Sequence, residues 1–237
     1  MSNSENADFY FGISDNKIYI CFLDNKKNVL KNSVSFDIPD SLNNNLNFKI
    51  ISSLLQENIR KLEKALGLFL NSGNISIKSK THQSILFSVK DISDERELEK
   101  EIIIKLVRIA MQQFQNYEKN LTILHVIINK YVIDDKVYNF FPAYKKFTRI
   151  ILEIEFICLN KVLIDKVKKL FNECKIDVKK IVSFDYAKKF LNNIKDDTLC
   201  LSAYEILNDA NRSEVILTEN TTEKYSLFDK VFNFFDK

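Results

Sequence analysis

LTILHVIINKYVIDDK, residues 121–136, is the stretch from which the fold is read. Leu121 to Ile128 is an apolar, β-branched run interrupted by polar Thr122 and His125, and Tyr131 to Ile133 resumes it. Asp134-Asp135-Lys136 then supplies a turn, since aspartate suits tight turns and tolerates left-handed backbone. A strand pair is predicted here. Upstream, Ser93 offers an N-cap, with Asp94 and Glu95 in the first turn of a helix running to about Tyr117. Leu98, Ile102, Leu106, Ile109 and Phe114 fall on the inward side of that helix. Downstream, Pro142 breaks the chain, Arg149 to Leu159 reads as a strong strand, and a helix follows over about Lys161 to Cys174 with Val162, Val167, Leu170 and Phe171 inward. Val178 to Phe184 reads as the next strand. This order of elements predicts an α+β fold with helices covering one face of a sheet.

Further outward, Phe9 to Ile13, Ile18 to Leu23 and Val29 to Ile38 form a β-meander broken by the polar turns 14–17 and 24–28. Ile51, Leu55, Ile59, Leu62 and Leu66 repeat at helical spacing, and Gly67 provides the stop. Short strands are expected at 75–78 and 85–89, and short helices at 186–194 and 199–207. Residues 208–225 are polar and read as a linker, and 226–237 as a helical tail.

Composition narrows the function. With 237 residues and 46% hydrophobic content, the chain can bury a core without metal or disulfide. A net charge of +3 with interleaved signs gives no reason to expect nucleic acid as a partner. Cys21, Cys158, Cys174 and Cys200 form no CxxC pair and read as buried free thiols. Glycine is the most informative count: there are three, Gly12, Gly67 and Gly73. Backbone that wraps phosphate depends on glycine for close approach and positive φ, so a nucleotide site is not expected. No signal peptide or membrane-spanning run is expected either.

Ile123-Leu124-His125-Val126-Ile127, with Tyr131, Ile133 and Asp134 following, is similar to a strand and turn of the bacterial cell-division adaptor family FtsA. Leu152-Glu153-Ile154-Glu155 resembles another strand of that family, and the helix and strand after it, ending in Asp177-Val178-Lys179-Lys180-Ile181-Val182, keep the family's order. The resemblance is strongest over residues 70–190, the family's inserted SHS2-like interaction subdomain. It implies a remnant actin-like subdomain (1–70), an SHS2-like interaction subdomain (71–184), a return to the actin-like part (185–207), a linker (208–225) and an amphipathic membrane-targeting tail (226–237). Its implied role is a non-catalytic adaptor at the inner face of the cell membrane, at the division site, with divisome proteins as partners and self-association; a divergent actin-like protein with residual ATP binding and a protein-binding module unrelated to division are the alternative readings. The tubulin-like protein FtsZ is implied as a further partner, although the family's docking half for it does not fit in the residues here. Departures from the family fall at the phosphate loops. Tyr10 stands two places before Gly12 where an acidic residue is expected, and Cys200-Leu201-Ser202-Ala203-Tyr204 has no glycine. No cofactor, metal or catalytic residue is expected.

Two candidate binding features follow. On a helix, Leu227, Phe228, Val231, Phe232 and Phe235 share a face with Phe234 near its edge, a pattern that suits a membrane interface. The acidic run including Asp94, Glu95, Glu97 and Glu99 reads as a solvated helix start or, functionally, as a docking site for a basic partner peptide, and the aromatic cluster Tyr138, Phe140, Phe141 and Tyr144 beside Phe147, Lys145, Lys146 and Arg149 as partial core packing or a protein interface. His125 is expected to be structural, and His82 a solvated loop residue.

Overall fold

The computed structural model describes residues 8–24, 29–38, 45–191, 198–208, 211 and 213–215. The elements are β1 (Phe9–Ile13), β2 (Lys17–Asp24), β3 (Val29–Asp37), α1 (Asn45–Leu66), β4 (Ser72–Ile77), β5 (Gln83–Glu97), α2 (Lys100–Tyr117), β6 (Leu121–Ile133), β7 (Lys136–Tyr138), β8 (Lys146–Asn160), α3 (Lys161–Glu173), β9 (Asp177–Ser183), α4 (Phe184–Ala187), a 3-10 turn Lys188–Phe190, and α5 (Thr198–Leu207). They divide into two units, residues 1–82 with 159–210, and residues 83–158 with 211–237.

The first unit is built on a five-stranded sheet of order β3-β2-β1-β4-β9. The meander β1–β2–β3 is antiparallel, while β4 pairs in parallel with both β1 and β9. Alternation along β1 assigns its two faces. The Phe11 ring meets Phe171 of α3 edge-on at 4.8 Å between centroids. Gly12, one residue on, lies against α5, where an added Cβ would come within 2.6 Å of the Leu199 Cβ. Helices therefore cover both faces of this sheet, not one as the element order suggests. α1 and α3 bury Ile51, Leu55, Ile164, Val167, Leu170 and Phe171, and α5 buries Leu199, Cys200, Ala203 and Ile206. Val162, expected to point inward, is 59% exposed; Ile164 takes the core position, because the buried stripe of α3 runs through 164, 167, 170 and 171.

The second unit is a four-stranded sheet of order β5-β8-β6-β7 with α2 packed on β5. β5 and β8 pair antiparallel from Gln83↔Cys158 to Glu97↔Lys146. Val89, Ile103, Leu106, Val107, Ala110, Phe114, Leu152, Ile154 and Phe156 form its core. β6 is one continuous strand through Asn129 and Lys130, and the expected turn falls at Asp134-Asp135, both with positive φ (45° and 68°). Segment 213–215 is not free linker: the Val215 amide donates to the Val126 carbonyl at 2.7 Å, and the Ile128 amide to the Ser213 carbonyl at 3.0 Å.

Other expectations are corrected locally. β4 and β9 belong to the five-stranded sheet, so the boundaries of the second unit fall at 82/83 and 158/159 and not at 71 and 184. The helix expected from Ser93 begins at Lys100, because pairing with β8 carries β5 on to Glu97. Of the helix expected over 186–194, the described residues 186–191 make α4's end and a 3-10 turn. His82 is half-buried, its Nδ1 2.9 Å from the Ser183 Oγ. Cys21, Cys158 and Cys200 are buried thiols as expected, and Cys174 is partly buried.

Candidate functional site

The acidic run and the aromatic cluster, far apart in sequence, meet at one end of the second unit. β5 carries a bulge between Ile92 and Arg96: Ile92 pairs with Arg149 and Arg96 with Phe147, leaving residues 93–95 looped out. The strand then continues until the Leu98 amide donates to the Lys145 carbonyl at 2.8 Å. Glu95 in the bulge and Tyr144 in the opposing loop both adopt left-handed backbone, φ 37° and 57°. Each costs about 1 kcal/mol, and such strain concentrates where a surface has been shaped for use.

Residues of both features differ in role. Asp94, Glu95, Glu97 and Glu99 are exposed and, among the described residues, form no ion pair. Phe140 and Tyr144 are 73% and 80% exposed. Tyr138 is half-buried, with Lys145 Nζ 4.6 Å from its ring centroid. Phe141 is corrected from surface to core: it is buried, with its ring 6.1 Å from that of Tyr131. Phe147 is fully buried beneath Arg96, whose guanidinium lies 5.3 Å from the ring centroid and whose Nη2 is 2.5 Å from Asp91. The arrangement brings two exposed rings and four exposed carboxylates to one end of the sheet, with Lys146 opposite Glu97 across the β5–β8 pair.

Asp134 holds the loop's far side. Its carboxylate accepts from the Thr148 hydroxyl at 2.7 Å and the Arg149 amide at 2.8 Å, and these bonds hold its pKa below the usual carboxylate range. Asp135 pairs with Arg149. Both aspartates are thus committed to the turn rather than to a metal. Among the described residues no group of three or more His, Cys, Asp or Glu is arranged to hold a metal ion.

Sequence reasoning missed the edge of β5. It is an outer strand fifteen residues long, with Leu86 73% and Ile92 68% exposed. Among the described residues it pairs only with β8, so its outer amides and carbonyls can accept an added strand. The alternation was visible as strand, but which strand is outermost depends on pairing that no local pattern encodes.

No protein-family model matches the sequence, and no curated protein matches it. Among solved structures, 29 chains match. A PilM–PilN type IV pilus biogenesis complex matches with TM-score 0.47 and 9% identity, over 76% of this chain and 48% of that one. The cytoplasmic domain of EpsL, an inner membrane component of the type II secretion system of Vibrio cholerae, matches with TM-score 0.39 and 8% identity, over 80% and 61%. A Bacteroides thetaiotaomicron protein described as having an actin-like ATPase fold and unknown function matches with TM-score 0.31 and 11% identity, over 80% and 58%. This chain thus spans between about half and three fifths of each of those proteins.

The tail residues Leu227, Phe228, Val231, Phe232, Phe234 and Phe235 lie outside the described residues. Among the described residues, no helix is long and apolar enough to cross a membrane.

Proposed function

We propose that the chain is a non-catalytic adaptor of partly actin-like architecture, holding a protein partner at the membrane through the acidic and aromatic end of its second unit. The observation that carries this reading is the convergence at the Leu98–Lys145 hydrogen bond of exposed Phe140 and Tyr144 with four carboxylates. A partner segment that places an apolar side chain on the two rings and basic groups against Asp94, Glu95, Glu97 and Glu99 fits it. The open edge of β5 offers backbone pairing beside it.

The actin-like component is supported by the chain's own topology. A β-meander, a helix and a parallel strand are interrupted by an inserted unit before the sheet is completed, and an inserted unit within such a sheet is what the resemblance to FtsA implies, though at other boundaries. The non-catalytic component is supported by how the glycines are used. Gly12 makes room for α5, Gly73 makes room for the Phe11 ring, and Gly67 (φ +67°) ends α1. The β1–β2 turn closes on itself, its Ser14 amide donating to the Lys17 carbonyl at 2.9 Å. Tyr10 is buried, which pushes its phenol up to about 12 and keeps a neutral group where the family resemblance implies an acid.

Membrane attachment by the Phe-rich tail, a location at the division site and divisome partners belong to this proposal through the resemblance. Purifying the full-length chain from its own cells tests it. Division proteins should co-purify with the wild type and be lost with a Phe140→Ser/Tyr144→Ser variant. An equal set of proteins with both would contradict the proposed surface, and a set without division proteins would contradict the proposed pathway.

A further inference from the structure

The helical layer formed by α1 and α3 in the first unit is basic and studded with apolar side chains. α1 carries Lys49, Arg60, Lys61 and Lys64 against Glu57 and Glu63, and α3 carries Lys161, Lys166, Lys168 and Lys169 against Asp165 and Glu173, a net +4 in a chain whose total is +3. The two helices lie together: Gln56 Nε2 donates to the Glu173 carbonyl at 3.2 Å, and Lys169 Nζ sits 5.3 Å from the Phe48 ring centroid. Lys49, Arg60, Lys64, Lys161, Lys168 and Lys175 are exposed and form no ion pair among the described residues. Of the acids on these helices, Glu57 is taken by Lys61 at 2.6 Å and Glu63 accepts from the Leu70 amide at 2.9 Å. Glu63 keeps its charge, so Glu63, Asp165 and Glu173 stand against five such cations on the helices and Lys175 just beyond α3.

Apolar groups project from the same layer. Ile50 of α1 is 50% and Val162 of α3 59% exposed, and Phe69, in the connection just after α1, is 88% exposed. A groove of about 760 Å³ runs along α1 from Ser53 to Phe69, lined by Arg60, Lys61 and Lys64 together with Glu57 and Glu63. Long cationic side chains around protruding apolar ones suit a phospholipid boundary, where the apolar groups sink and the charges stay at the headgroups. A nucleic acid is a poorer fit, since the charge on α3 is all lysine and the projecting groups include one ring rather than a row of stacking aromatics.

We propose that the α1–α3 layer docks on an anionic lipid surface, as a second membrane contact beside the tail. The inference rests on the membrane reading above but predicts a different signature. In the tail Lys230 and Lys237 are balanced by Asp229 and Asp236, and in the linker before it Lys224 is outweighed by Glu219 and Glu223, so tail binding gains nothing from anionic lipid. Binding through α1 and α3 depends on it and weakens as salt screens it.

The test is flotation of the full-length chain with vesicles of phosphatidylcholine alone, or with about a third phosphatidylglycerol. Binding to the anionic vesicles should be at least about tenfold tighter at low salt. A Lys64→Gln/Lys161→Gln/Lys168→Gln variant should fall to the neutral-vesicle level there, while its neutral-vesicle binding and melting temperature stay those of the wild type. Binding to anionic vesicles alone would uphold this inference while contradicting the tail reading. Equal wild-type binding to both vesicles, or a variant indistinguishable from wild type, would overturn it. Capture of a single-stranded oligonucleotide as tight as that of anionic vesicles, and lost in the same variant, would also overturn the lipid assignment.

Discussion

The Leu98 amide donates to the Lys145 carbonyl at 2.8 Å, and through that bond an acidic strand end and an aromatic loop become one surface. Neither half is unusual alone. Together they place acidic side chains beside exposed rings, with Glu95 and Tyr144 at left-handed backbone positions that glycine would ordinarily fill.

Phe140 and Phe141 should separate function from folding. Phe140→Ser removes an exposed ring and should leave urea stability within about 0.5 kcal/mol of wild type while reducing partner capture severalfold. Phe141→Ala removes a buried ring packed edge-on against Tyr131 and should cost about 3 kcal/mol. Equal destabilisation by the two in urea titrations would mean the surface is wrongly drawn.

Gly12→Ala should destabilise the first unit by about 1–3 kcal/mol, because the new Cβ meets the Leu199 Cβ at 2.6 Å and α5 must shift. Chemical denaturation measures this directly. A stabilised variant would show that Gly12 is retained for another reason, and a bound phosphate would then have to be sought.

The turn carboxylate should give a pH signature. Asp134 has a lowered folded pKa, so its contribution is complete above the unfolded value, near 4, and is lost as pH falls through the folded one. Urea unfolding of wild type and Asp134→Asn should differ near neutral pH and converge in acid. A difference that stays constant from about pH 7 to about pH 2 would assign the effect to shape rather than charge.

His125 and Glu214 form a pair 2.8 Å apart, with side chains 0% and 7% exposed, fastening segment 213–215 to β6. Glu214→Ala strips a buried partner and should cost about 1–3 kcal/mol. Hydrogen exchange should quicken at the Val215 and Ile128 amides first. Unchanged protection there would show that the backbone pairing alone suffices.

Much of the fold was legible because periodicity is local. The meander, α1 with its Gly67 stop, and the Asp134-Asp135 turn sit close to where residue spacing puts them. The start of α2 was misread because Ser93, Asp94 and Glu95 look like a helix N-terminus, whereas pairing with β8 holds them in a strand bulge. Val162 was misplaced by an ambiguity of helical phase that packing against Phe11 resolves through Phe171. The partner of His125 lies 89 residues away in a segment whose composition reads as linker, and no pattern within that segment announces the pairing. The candidate site was half legible: both clusters could be named, but their meeting depends on the register of β5 against β8.

The most direct test is a photo-crosslinking residue at Tyr144 in the full-length chain, expressed in its own cells, with Lys119 as a control position. The account predicts one discrete crosslinked protein from position 144, none from position 119, and loss of that product when Glu95→Lys and Glu97→Lys are added. Crosslinks of equal yield from both positions, or a product from position 144 that survives the charge reversal, would contradict it.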